Sequence, residues 1–94
     1  MHYVYILKSE SLDTYYIGET INLENRLLWH NSHHFENAYT KVATDWKIVH
    51  TMTCSDIIQA RKIEKHIKAM KSKTYILNLT RYPEMTIKLI QKYA

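Results

Sequence analysis

Tyr5, Tyr16, Arg26, His30 and Glu64 are the polar side chains of this sequence with reactive chemistry to offer. A guanidinium such as Arg26 makes two-pronged contacts with phosphate oxygens. A carboxylate such as Glu64 can hold one Mg²⁺, a hard cation that keeps most of its waters and takes one or two protein ligands. An imidazole with a pKa near ~6.5 carries protons at neutral pH, whereas a phenol near ~10 acts as a base only when a metal or cation lowers it. A base for water, a cation for the phosphoryl charge, and an acid or metal for the leaving oxygen are what phosphodiester hydrolysis requires. Taken singly, each residue has an ordinary explanation. Glu64 and Lys68 are spaced for an i,i+4 helix ion pair worth a few tenths of a kcal/mol. His30 suits a helix C-terminus, Arg26 suits a helix surface, and a strand tyrosine usually packs in a core or at its rim. Neighbouring His33 and His34 are a weak metal signal.

These groups must be carried by regular elements. HYVYILK at 2–8 is β-branched and aromatic and reads as a strand with Tyr3, Tyr5 and Leu7 on one face. Polar SESLDT forms a turn, and Tyr15–Glu19 returns as the second arm of a hairpin. With Lys8 opposite Asp13, Tyr5 would face Tyr16. Asn22 caps a helix over 23–31, where Leu23 and Leu27 face the core and Arg26 and His30 share another face. Residues 33–41 read as an irregular polar loop. WKIVHTMT at 46–53 alternates as a third strand, with Trp46, Ile48, His50 and Met52 on one side. Cys54–Ser55 caps the next helix, whose buried stripe is Ala60, Ile63, Ile67 and Met70. After a break at Ser72–Lys73, Pro83 opens a last helix to about Lys92. The expectation is one α+β domain over 1–94, a small three-stranded antiparallel sheet flanked by helices in the order ββαβαα, with a motif-bearing core over about 1–80.

Composition narrows the setting. A single cysteine, Cys54, excludes an internal disulfide and a zinc-binding cysteine pair, which favours a reducing compartment. No basic and apolar leader opens the chain, and no apolar run reaches the ~20 residues of a membrane span; a cytoplasmic protein without a membrane partner is expected. The net charge of +4 is unevenly spread. Residues 1–60 carry four Lys/Arg against seven Asp/Glu, and residues 61–94 carry nine against two, a balance of −3 followed by +7. Such a basic segment suits a phosphate backbone, because each neutralised phosphate releases counterions. It equally suits a solvated helix surface.

The order and spacing of the five residues decide between these readings. Val4-Tyr5-Ile6 within YVYIL, Tyr16-Ile17-Gly18, Arg26 and His30 within NLENRLLWHN, Glu64 within QARKIEKHIK, and Asn78 within YILNL together resemble the GIY-YIG nuclease family. The likeness is strongest to its small single-domain members and extends to the N-terminal nuclease domain of the bacterial excision-repair nuclease subunit. It implies a metal-dependent endonuclease that cuts DNA by a one-metal mechanism with water as nucleophile, structure-specific or repair-related in use. On that resemblance Tyr5 and Tyr16 line the site, one of them helping to activate water. Arg26 binds the scissile phosphate, His30 assists proton transfer or holds a phosphate, and Glu64 is the single protein ligand of one Mg²⁺ or Mn²⁺ ion. Gly18 lets neighbouring groups approach closely, and Asn78 supports the site from behind. Arg26, Arg61, Lys65, Lys68, Lys71 and Lys73 are the expected nucleic-acid contacts.

Two positions depart from the family pattern: Val4 stands for its first glycine, and Glu19 follows Gly18 where some relatives carry a lysine. A carboxylate there either repels phosphate or joins the metal shell. With no room in 94 residues for a recognition domain, specificity would come from a homodimer or a partner protein. The rival reading from another class is a DNA-binding module whose site is idle outside a larger assembly. A protein-interaction domain that never meets nucleic acid would leave the +7 segment unexplained.

Overall fold

The computed structural model describes residues 1–32 and 43–94. The expected loop at 33–41, with His33 and His34, lies outside them. Strands β1 (His2–Ser9) and β2 (Thr14–Thr20), helix α1 (Leu23–Asn31), strand β3 (Trp46–Cys54) and helices α2 (Ile57–Met70), α3 (Lys73–Arg81) and α4 (Pro83–Lys92) follow in order. The ββαβαα α+β plan is present, with its helical tail divided: Lys73–Arg81, between the expected helices, is a helix of its own. Ser72 caps it by accepting from the Tyr75 amide, and Ile76 and Leu79 are buried.

The sheet order is β2-β1-β3, antiparallel throughout, so β1 is central. Its two faces carry separate cores. Val4, Ile6, Ile17, Met52 and Cys54 meet Ala60, Ile63 and Ile67 of α2, with Ile76, Leu79 and Leu89 from the later helices. Tyr5, Leu7, Ala43 and Trp46 form the opposite core, joined by Tyr16, Ile48 and the α1 leucines Leu23 and Leu27.

Three local expectations need correction. The hairpin pairs Ser9 with Thr14 and Lys8 with Tyr15, so Tyr5 lies opposite Gly18, not Tyr16. The four-residue turn is as long as expected but sits one residue later, with Asp13 in the left-handed region at φ 48° and its carboxylate bonded to Lys8 at 2.8 Å. A two-residue change of partner preserves the face, and Tyr5 and Tyr16 remain neighbours. Second, Trp46 and Ile48 do not share a side with His50 and Met52. Consecutive Ile6 and Leu7 pair with His50 and Ile48, and the bulge at Val49 flips the alternation. His50 therefore faces the helical layer, where it bonds the Thr86 hydroxyl at 2.8 Å. Third, Met70 ends α2 with 46% exposure, and the stripe is completed by buried Gln59, which donates to the Ile90 carbonyl of α4 at 3.1 Å. Asp56, not Cys54 or Ser55, is the N-cap. Its carboxylate accepts from the Gln59 amide at 2.8 Å, while the Gln59 side chain accepts from the Ser55 amide at 2.8 Å.

Candidate active site

Pairing across the hairpin puts the Tyr5 ring directly over Gly18. A Cβ built on Gly18 would lie 2.4 Å from the Tyr5 hydroxyl oxygen and 2.5 Å from Cζ. The one glycine of the chain is thus explained by close approach; its φ is not positive. With Gly18 flat beneath it, Tyr5 sinks to 2% exposure. Burial pushes its pKa well above the ordinary phenol value; Tyr16 adds to the rise, Arg26 opposes it, and Glu64 and Glu19 add smaller increments. The Tyr5 proton is therefore firmly held at neutral pH.

Helix α1 supplies the next two groups. Asn22 caps it through a 3.0 Å bond from the Asn25 amide, and Thr20 at the end of β2 accepts from the Asn22 amide at 3.1 Å, so strand and helix are joined with little slack. The far end is tied to β3: the Asn31 side chain accepts from the Trp46 amide at 2.8 Å and donates to its carbonyl at 3.1 Å. Between these anchors His30 is buried, its Nε2 3.0 Å from the Tyr5 hydroxyl. Its ring centroid is 4.6 Å from that of Tyr16, and the two tyrosine rings are 6.3 Å apart. Burial first, then the Arg26 charge, lowers the imidazole pKa to about 4. His30 is thus neutral at pH 7, and the direction of its bond to Tyr5 follows its tautomer. Arg26 is half-buried, its guanidinium 5.4 Å from the Trp29 ring centroid.

Helix α2 lies along β2, an edge of the sheet. Arg61, Glu64 and Lys68 form one row along it, at i, i+3 and i+7. Arg61 is 4.0 Å from the Glu19 carboxylate, which His2 also contacts. Glu64 is 20% exposed and accepts from Lys68 at 2.6 Å through Oε2. The Lys68 ammonium stands 5.7 Å from the centre of the Tyr16 ring. Lys68 therefore touches both the carboxylate and the half-buried phenol. The i,i+4 spacing predicts the Glu64–Lys68 pair, but no spacing rule predicts the approach of Lys68 to Tyr16. Nothing in the spacing of Asn31 signals its bonds to β3.

Among the expected site residues, Tyr5, Tyr16, Gly18, Arg26 and His30 come together, and Glu64 is linked to them through Lys68, which it holds at 2.6 Å and which stands 5.7 Å from the Tyr16 ring centre. Asn78 on α3 makes no side-chain hydrogen bond to this cluster among the described residues. The basic residues divide as well. Lys68, Lys71 and Lys73 line one cavity beside Tyr15, whereas Lys65 lines another with Lys62, His66 and Tyr93.

Comparison with known proteins gives the family. A model of the GIY-YIG catalytic domain matches residues 1–76. A UPF0213 protein of Syntrophus aciditrophicus (strain SB) is 35% identical over 83 residues, covering 88% of this chain and 94% of that protein. No solved structure matches. A family match of this extent, on a chain whose hairpin and first helix bring the motif side chains together, means that the protein belongs to the GIY-YIG family, whose catalytic domain supports nuclease activity in general.

Proposed function

We propose that this chain is an endonuclease that hydrolyses DNA phosphodiester bonds with water as nucleophile and one divalent ion, Mg²⁺ or Mn²⁺. The observation that carries the reading is the position of Tyr16. It is half-buried, backed by neutral His30 at 4.6 Å and approached by the Lys68 ammonium at 5.7 Å. Of the two phenols, Tyr16 is the one reachable by a water. As the phenol open to solvent, Tyr16 is the one that takes the water proton. Tyr5 and His30 act as positioning residues, since both are buried and bonded to each other. Arg26 holds the scissile phosphate, the role its planar fork suits.

The residues fit the implied ion. Among the described residues no group of three or more His, Cys, Asp or Glu could enclose a metal; a hydrated Mg²⁺ needs only one or two carboxylates. Glu64 would hold it: the side chain reaches solvent, Lys68 takes Oε2, and no hydrogen bond is made to Oε1 among the described residues. When bound, the ion supplies Lewis-acid stabilisation of the leaving 3′ oxygen. Glu19 is engaged by His2 and Arg61, so it serves neither as second ligand nor as an unscreened charge facing phosphate.

The Glu64–Lys68 contact also supports a second reading, in which the carboxylate is occupied and the protein is a DNA-binding module working within a larger assembly. One experiment separates the two. Nicked, branched and plain duplex DNA are incubated with the protein and Mg²⁺ or Mn²⁺, beside Glu64→Gln and Arg26→Ala. The endonuclease reading expects cleavage by the parent, strongest on nicked or branched DNA as in repair, and lost in both variants while Glu64→Gln still binds. Binding without cleavage of any substrate in either metal sinks it and leaves the module.

A further inference from the structure

Around the edge of β2 from Tyr16, a cavity of about 530 Å³ opens between the hairpin and the junction of α2 and α3. Its floor is apolar, from Ile67 and Ile76 with Tyr15, and its rim carries Lys68, Lys71 and Lys73. Lys8 stands nearby, 4.5 Å from the Tyr15 ring centre. The local carboxylates are Asp13, bonded to Lys8 at 2.8 Å and 3.8 Å from Lys73, and Glu64, paired with Lys68. Four ammonium groups thus face two carboxylates. Among the described residues Lys71 is the rim lysine with no ion pair.

Lys71 also holds a backbone conformation that lysine adopts reluctantly. It ends α2 in the left-handed region at φ 47°, ψ 43°, where glycine or asparagine is usual. The conformation fixes where the α2–α3 corner turns and sets Lys71 and Lys73 on the same rim as Lys68.

Resting on the endonuclease reading, we propose that the Lys68–Lys71–Lys73 rim is a second phosphate subsite, which holds a backbone phosphate of the bound DNA strand flanking the scissile bond. Lys68 is shared, reaching Tyr16 on one side and the cavity on the other. Lys71 lies three residues farther along α2, roughly 4.5 Å of helix rise, and a strand advances about 3.4 Å per nucleotide. The rim therefore meets the strand about one to three nucleotides from the bond that is cut. Because these lysines lie to one side of the reactive groups, the subsite fixes the direction in which the strand crosses the site.

The test is binding of a fluorescent duplex DNA in chelator, where no cutting occurs, over a range of salt concentrations. Lys71→Gly and Lys73→Gln should each weaken binding several-fold at ~0.1 M salt, and each should make the log–log salt slope shallower by about 0.9. Lys92→Gln on α4 should leave both quantities unchanged. Lys71→Gly should melt no lower than the parent, which separates lost contact from lost fold. Parent-like affinity and slope in both rim variants would overturn the subsite while leaving the nuclease reading intact. So would weaker binding at an unchanged slope, since no phosphate contact would then be missing. Failure of the parent itself to bind DNA sinks the nuclease reading, and the subsite with it.

Discussion

At the scale of single residues, the site depends on a group that is not there. Gly18 is flat, extended backbone, and its use is the absence of a Cβ where the Tyr5 ring crosses the hairpin. Gly18→Ala would force Tyr5 to move, because the nearest atoms belong to an aromatic ring and not to the far end of a flexible chain. Overpacking of this kind costs about 1–3 kcal/mol. Since Tyr5 holds His30, and His30 backs Tyr16, cleavage should fall at least as steeply as stability. The check is a double-mutant cycle by urea unfolding: in a Tyr5→Leu background Gly18→Ala should cost clearly less than in the parent. Equal costs in the two backgrounds would mean that the ring contact is not what glycine serves. Lys71 is the opposite case, a side chain kept where glycine fits better. Lys71→Gly should raise stability by up to about 1 kcal/mol, the left-handed penalty less the added freedom of the unfolded chain; a clear loss in urea unfolding would show that the lysine stem packs favourably.

At the scale of elements, α1 is held on the sheet by a buried imidazole, and this makes its docking sensitive to acid. Folding lowers the His30 pKa from the ordinary ~6.5 to about 4, by burial and then by Arg26. The unfolded chain therefore binds the extra proton first, so the stabilisation is complete above ~6.5 and is lost as pH falls through that value towards 4. His50, lowered by burial alone, adds to the same trend. The His30 part should be of order 3 kcal/mol at roughly 1.4 kcal/mol per pKa unit. It is measured as the difference in the pH dependence of urea stability between the parent and His30→Gln; parallel curves from pH 6.5 to 4.5 would rule it out. How much of this was legible in the sequence varies by element. The strands, the α1 cap and the Ala60–Ile63–Ile67 stripe were readable because period and cap chemistry are local signals. The spacing of Tyr5, Tyr16, Arg26 and His30 was readable through the family resemblance. The hairpin register was out by two because the left-handed Asp13 decides where the turn closes. The Val49 bulge was hidden because both cores offer apolar seats to an alternating strand. The contact of Lys68 with Tyr16 crosses from helix to strand edge, and no spacing rule reaches that far.

At the scale of the whole molecule, a mostly acidic first part and a basic second part are folded so that the reactive groups sit where they meet. The hairpin and α1 supply Tyr16, Arg26 and His30; α2 supplies Glu64 and the start of the lysine rim. On the proposed function, a phosphate backbone drawn to residues 61–94 would be delivered to side chains of the first thirty. Among the described residues, apolar side chains form a core on each face of the sheet. The divalent ion proposed at Glu64 would be held by one carboxylate at the surface. Its removal should therefore stop the chemistry and spare the fold. Chelator is expected to abolish DNA cleavage, with recovery on returning Mg²⁺ or Mn²⁺, while the melting temperature moves by no more than about 2 °C. A ligand present at 100 times its Kd would add ~2.7 kcal/mol, which for a domain of this size is roughly 10 °C or more. A chelator-induced fall of that size would therefore place a tightly bound, structural ion in the protein, and the single-carboxylate site at Glu64 would no longer account for it.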